Sequence, residues 1–225
     1  MNGENYGPVG ANVPDFEQIT RYQVNVPRTY AVTRQPRYDK QTYAAAGQTS
    51  LQFFQSQVGQ NSKTYQDTNM SITGMLAQPI YMLVMWVELR FYPGNLPSSL
   101  DATGDYTAIP NFINDVYTFA KAGWLEFFVG SQTQFREAPL DRIPASTGLA
   151  ATAAYAMDMQ TGANGVGTEY ASIVGRLRTV DPWILLIPNQ NFSVTLNWPA
   201  AVALPSTVDA TVYCHLEGLE YRLAQ

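Results

Sequence analysis

Between Asn191 and Glu217 the chain alternates apolar and polar residues with a period of two. In Asn191 to Trp198, Phe192, Val194, Leu196 and Trp198 fall on one side, and Asn191, Ser193, Thr195 and Asn197 on the other. From Val208 to Glu217 the pattern returns: Val208, Ala210, Val212, Cys214 and Leu216 oppose Asp209, Thr211, Tyr213, His215 and Glu217. A helix cannot keep every second residue on one side. Antiparallel strands with one face in a core and one in water do so. Ahead of them, Asp181-Pro182 predicts a turn and Trp183 to Ile187 a fully buried strand. At Gly218 the phase slips, because Leu216 is even while Leu219, Tyr221 and Leu223 are odd. A one-residue slip at a glycine predicts a β-bulge or a bend between sheets.

The rest of the chain supplies partners for these strands. Ile80 to Phe91 is a β-type run with Tyr81, Leu83, Met85, Val87, Leu89 and Phe91 on one face. Both faces are apolar until Glu88 and Arg90, as in a central strand between two layers. Trp124 to Val129 is a further strand, Ser50 to Val58 and Asn69 to Met75 are short strand candidates, and Tyr170 to Leu177 opens the final set. Pro110 to Ala122 reads as a helix: Pro110 suits its first turn, Phe112, Val116 and Phe119 share a face, and Gly123 suits the C′ position. Ser146 to Met159 is Ala-rich and is a second helix candidate. Leu96 to Thr107, Gln134 to Pro144 and Gly162 to Thr168 read as loops.

Residues 1 to 48 break this regularity. Gly3, Gly7, Pro8, Gly10, Pro14, Pro27, Pro36 and Gly47 interrupt a stretch in which no apolar period lasts. An extended N-terminal arm is expected there, with residues 49 to 225 as the folded domain. Arg21, Arg28, Arg34, Arg37 and Lys40 place five of the 13 basic residues in the arm, interleaved with Tyr22, Tyr30, Tyr38 and Tyr43. Disordered tails are poor in aromatics, so an ordered arm that drapes over neighbouring subunits or touches polyanion is expected. A solvated tail docked on its own domain is the plainer alternative.

Composition matters for what it excludes. Only 14% of the residues are charged, against roughly 25% in soluble domains, and Asn, Gln, Thr, Ser and Gly supply the polarity. Such a surface suits wide contact with protein, since few charges must be desolvated. A secreted or periplasmic β-protein with a neutral surface is the other reading. The net charge of −5 argues against a protein that simply coats nucleic acid. Cys214 is the one cysteine, so no intrachain disulfide is expected. No charged segment followed by an apolar run marks a secretory leader, and Ile80 to Val87 is too short to span a bilayer, so assembly in a cytoplasm is expected.

No constellation announces catalysis. His215 and Cys214 are adjacent on a strand and point to opposite faces, so they cannot pair as nucleophile and base. No G-x-S-x-G elbow precedes His215. Glu217 and Glu220 are close enough in sequence to consider as paired acids, but placement at a sheet edge is the plainer reading. Asp101, Thr103 and Asp105 resemble the start of a calcium loop whose twelfth position is Phe112 rather than Glu. Gly162 to Gly167 has the gap of a phosphate loop, but Thr168-Glu169 stands where Lys-Ser/Thr is required. No catalytic, metal or cofactor residue is assigned, and neither enzymatic activity nor a small-molecule substrate is expected.

Three strings then carry a likeness: Phe128-Val129-Gly130 leading to Ala138-Pro139-Leu140 and Ile143-Pro144; Ile187-Pro188 leading to Phe192 through Trp198; and the closing Leu216-Glu217-Gly218-Leu219-Glu220-Tyr221-Arg222. Over residues 49 to 223 the chain resembles the jelly-roll capsid proteins of tailless icosahedral phages and related viruses. The resemblance implies an all-β fold, a single jelly-roll antiparallel β-sandwich with one or two inserted helices and an extended N-terminal arm. About 175 residues after the arm suit one roll rather than two. It implies a structural coat protein that self-assembles into an icosahedral shell around the genome. Its partners are then copies of itself, as trimers or as pentamer and hexamer capsomers, other capsid proteins, and the genome or an internal membrane through the arm. The alternative is a β-sandwich binding module for a receptor or carbohydrate, with Tyr92, Tyr106, Tyr155 or Tyr170 stacked on sugar rings.

Overall fold

Two antiparallel sheets face each other across one apolar core in a computed structural model that describes residues 30–92, 94, 108–143, 149–157, 165–173 and 178–223. The strands are β1 (Tyr30–Thr33), β2 (Arg37–Tyr43), β3 (Ser50–Phe53), β4 (Tyr81–Tyr92), β5 (Trp124–Val129), β6 (Gln132–Glu137), β7 (Leu149–Met157), β8 (Gly165–Ile173), β9 (Arg178–Leu186), β10 (Phe192–Asn197) and β11 (Ala210–Leu223). Among the described residues one α-helix, α1 (Ala108–Ala122), precedes β5, and Leu140–Arg142 forms a 3-10 turn. The first sheet runs β1-β11-β4-β9, with β2 also beside β11; the second runs β3-β10-β5-β6. Among the described residues β7 and β8 pair only with each other.

The alternating stretches lie at the centre of both sheets. β11 sits between β4 on one side and β1 and β2 on the other, and β10 sits between β3 and β5. Phe192, Val194 and Leu196 of β10 and Val212, Cys214 and Leu216 of β11 are all buried in one cluster. Val87, Leu89 and Phe91 of β4 and Leu125 and Phe127 of β5 complete it from the neighbouring strands. Each such side chain contributes about 1.5–3 kcal/mol by leaving water, so these rows hold the two sheets together.

The expected slip at Gly218 is present, but the extra residue belongs to the partner strand. Glu217 pairs with Trp86 and Gly218 with Val84, so β4 carries one unmatched residue, Met85. β9 shifts register at the same place, between Val84 and Trp86. The consequence corrects the expected face of β4. Val87, Leu89 and Phe91 face the main core, whereas Leu83 belongs to a second apolar cluster with Tyr221, against which Tyr81, Met85, Trp183, Leu185 and Leu219 pack. Met82 and Val84 take over on the core side.

Residues 30–43 correct the extent of the expected arm. They are strands of the first sheet, with β2 pairing along Ala210 to Leu216 and β1 along Glu220 to Leu223. The sequence hides β2 because two inward positions are charged. Arg37 and Asp39 are buried, and each has a partner: Arg37 pairs with Glu220, and Asp39 with Lys63. Residues 1–29 lie outside the described residues.

Four other expectations change. Ser146 to Met159 does not hold a helix over its described part; Leu149–Met157 is β7, laddered to β8 residue by residue. Ala tolerates either state, and pairing overrides its helical preference. The hairpin partner includes Gly165, Gly167 and Thr168, so this part of the glycine stretch is strand rather than loop. Gln134 to Pro144 contains most of β6 and the 3-10 turn. Asn69 to Met75 makes only an isolated bridge, Ile72 to Met75. The segment Leu96 to Thr107, with Asp101, Thr103 and Asp105, lies outside the described residues.

The helix closes one end of the sandwich. Phe119 meets Phe91, Trp198 and Tyr43 with ring centroids 4.7, 5.3 and 5.3 Å away. Trp198 Nε1 donates to the Phe119 carbonyl at 3.1 Å, which satisfies a carbonyl of the last helical turn. Gly123 follows the helix as expected, yet what it provides is close approach: a Cβ there would lie 2.6 Å from Leu140 Cδ1 and Trp198 Nε1.

Candidate functional site

Side chains that alternate away from the core give the first sheet an outward face. On β11 these are Thr211, Tyr213, His215 and Glu217; on β4 they are Tyr92, Arg90, Glu88 and Trp86, paired with them in that order. On the other side, Thr42, Lys40 and Tyr38 of β2 pair with Thr211, Tyr213 and His215. Three adjacent strands thus place Lys40, Tyr213 and Arg90 in one row and Tyr38, His215 and Glu88 in the next. Opposite residues on a pleated sheet lie close enough for their side chains to interact.

The face is concave here. Lys40, Arg90, Tyr92, Thr211, Tyr213 and His215 line a hollow of about 390 Å³. Its aromatic residues form a continuous run. Tyr38 to His215, His215 to Tyr213 and Tyr213 to Tyr92 have centroid separations of 5.8, 6.0 and 5.7 Å. The segment 64–67 forms a rim: Tyr38 Oη donates to the Tyr65 carbonyl at 2.5 Å and Tyr213 Oη to the Gln66 carbonyl at 3.4 Å.

Each cation of the hollow is held by a carboxylate. Lys40 Nζ donates to Asp67 at 2.7 Å, and this bond raises the Lys40 pKa. Asp67 in turn falls to about 2, through Lys40 first and then the Thr64 N–H. Arg90 Nε donates to Glu88 Oε1 at 2.6 Å, which raises the arginine's pKa. Burial lowers the His215 pKa, with Glu88 opposing and Arg90 adding to the lowering, so the imidazole is neutral near pH 7.

Residues weighed from sequence for chemistry are separated. Cys214 is fully buried on the core side, opposite Leu89, and burial pushes its thiol pKa well up. His215 lies on the outward face. Glu217 and Glu220 fall on opposite faces of β11, which is an interior strand and not the expected edge. Glu217 faces Arg34 at 3.7 Å, and burial raises its pKa. Glu220 is wholly buried and accepts from both Arg37 and Arg222.

The basic residues expected to meet a polyanion from the arm are also engaged. Arg34 pairs with Glu217 and lies 5.6 Å over the Trp86 ring, Arg37 pairs with Glu220, and Lys40 with Asp67. Arg21 and Arg28 lie outside the described residues. Tyr43 is a core residue whose hydroxyl donates to the Val202 carbonyl at 2.7 Å. The hollow is not evident from the sequence because it is assembled from three strands, one of which lies in the stretch whose prolines and glycines predict an arm. The signal available was the polar face of Thr211, Tyr213 and His215.

Among the described residues no three His, Cys, Asp or Glu side chains converge as metal ligands. No family model matches the chain, no curated protein matches it, and no solved structure matches it.

Proposed function

We propose that the chain is a jelly-roll coat protein that assembles into an icosahedral shell around a genome. The observation that carries this reading is the strand order. With β1 and β2 counted as one interrupted strand and the β7–β8 hairpin set aside, eight strands remain. In the first sheet they run first, eighth, third, sixth; in the second they run second, seventh, fourth, fifth. This order follows when a long hairpin of four nested strand pairs is rolled so that the eighth strand meets the third and the seventh meets the fourth. Jelly rolls of eight strands are used in viral capsids and in lectins, so the step from fold to shell is one of analogy.

The low charge of the chain supports the same reading, because repeated contacts between copies desolvate few charges. The partners proposed are copies of the chain as trimers, pentamers or hexamers, and other coat proteins, with residues 1–29 as the connecting arm and the virion as location. The test is sedimentation and negative-stain microscopy of the purified protein. Capsomers, rings or shells are expected; a strict monomer at about tens of micromolar overturns the proposal. Removal of residues 1–29 is expected to impair assembly and leave the unfolding transition unchanged.

The second reading, a sandwich that binds a receptor or a carbohydrate, is favoured by the aromatic hollow. Tyr92, one of the four tyrosines weighed for it, is 45% exposed there. Tyr155 and Tyr170 pair with Gly167 and Thr152 in the β7–β8 ladder, a different sheet from that of the hollow's strands, and Tyr106 lies outside the described residues. Binding to a glycan array, with loss in a Tyr92→Ala variant, would favour this reading over the shell.

A further inference from the structure

We propose that the hollow on the outward face of the first sheet binds single-stranded nucleic acid, with a base against Tyr92 and Tyr213 and a phosphate on Arg90 and Lys40. The proposal takes its physiological partner, the packaged genome, from the shell reading. Its test is made on unassembled protein, so that either can fail alone.

The lining combines two kinds of group that few ligands satisfy together. The floor is aromatic: Tyr213 stands between Lys40 and Arg90 in register, with Tyr92 edge-on to it at 5.7 Å and 84°. The rim is cationic and hydroxylic, from Lys40, Arg90 and Thr211. An aliphatic partner would cover two charged pairs and leave the remaining N–H donors of Lys40 and Arg90 without acceptors. A simple anion would leave the rings without use. A nucleotide offers a planar ring to the tyrosines and an anionic group to the cations.

The cations are positioned for this. Glu88 takes Nε of Arg90 and Tyr92 makes a second side-chain hydrogen bond to the guanidinium, and among the described residues no carboxylate hydrogen-bonds its two Nη groups, whose remaining N–H donors suit phosphate oxygens. Asp67 fixes Lys40 through one of its three donors. His215 has one donor and one acceptor nitrogen when neutral, and so can meet a base edge. A hollow of about 390 Å³ has the size of a small-ligand site. The paired carboxylates keep the site nearly neutral, so binding is led by stacking. It is tolerant of base sequence and shallow in its salt dependence.

The experiment titrates a fluorescein-labelled oligothymidylate with full-length unassembled chain and reads anisotropy. Binding is expected, with a salt slope of about one to two charges. Tyr92→Ala is expected to weaken it about tenfold, in line with the loss of one stacked base, and to leave the slope unchanged. Arg90→Gln is expected to lower the slope by about one, and Tyr92→Phe to retain binding. The proposal is overturned if the unmodified chain does not bind, or if Tyr92→Ala and Arg90→Gln bind as the unmodified chain does. Displacement of the oligonucleotide by dextran sulfate as readily as by unlabelled oligothymidylate also overturns it, because that polymer has no bases. Shells without binding sink this proposal alone; binding by a strict monomer supports it and sinks the shell reading.

Discussion

Gly218 lies so close to Leu83 that a Cβ built on it would stand 1.9 Å from the Leu83 carbonyl oxygen and 2.9 Å from the carbonyl carbon. This contact sits where Met85 is left unmatched, so the backbones of β4 and β11 approach at the bulge. No side chain can relieve a clash with backbone. Gly218→Ala is therefore expected to destabilise the fold by about 3 kcal/mol, read as a lower urea midpoint. An unchanged midpoint would mean that the strands pair differently there.

Glu220 accepts from Arg37 and Arg222 within the sheet. Removing Arg37 leaves the buried Glu220 carboxylate with Arg222 alone, whose side chain is 47% exposed, and breaking a buried pair costs up to about 3–5 kcal/mol. Arg37→Met alone is expected to fall in that range. The double variant Arg37→Met, Glu220→Leu is expected to recover much of the loss in chemical denaturation. Additive losses in the double-mutant cycle would show that the two side chains do not interact.

Asp67 titrates at about 2, below its ordinary 3.8. A depressed carboxylate adds stability above its unfolded value and loses it as pH falls toward the folded one. The contribution, about 1 kcal/mol after solvent screening, is present above roughly pH 4 and gone near pH 2. Asp67→Asn is expected to lower the thermal midpoint at neutral pH and to flatten its fall over this window. Parallel acid profiles for the two proteins would remove Asp67 from the account.

Cys214 is fully buried, and burial pushes its thiol well above the usual range. Thiolate is the reactive form. The folded protein is expected to resist a thiol-specific disulfide reagent at pH 8 and to react at once in denaturant. Rapid reaction of the native protein would show that this part of the core opens.

What could be read from the residues was whatever obeys a period. β10, most of β11, β5 and α1 follow from alternation or from three- and four-residue spacing, and the structure has them where the pattern put them. Elements whose inward positions are polar were not legible. β2 places Arg37 and Asp39 inward, and only Glu220 and Lys63, remote in sequence, make that tolerable. β6 is an edge strand whose first three residues are all exposed, so it has no apolar phase to detect. The faces of β4 were misassigned because one residue, Met85, inverts the parity of everything before it. The hollow was illegible for the same reason as β2, since Lys40 and Tyr38 reach it only once that strand joins the sheet.

The nesting of the strands also dictates an order of events. Tyr30 pairs with Leu223, and β3 waits for β10. β11, which joins β1 and β2 to β4, and β10, which joins β3 to β5, come from the last part of the described chain. A ribosome that has released only residues through β9 has exposed two incomplete sheets, each lacking its middle. Such long-range closure is slow, and unpaired strands in the meantime invite association with other chains. The completed sandwich can form only after synthesis has passed β11, which makes the final strands the step that commits the whole chain.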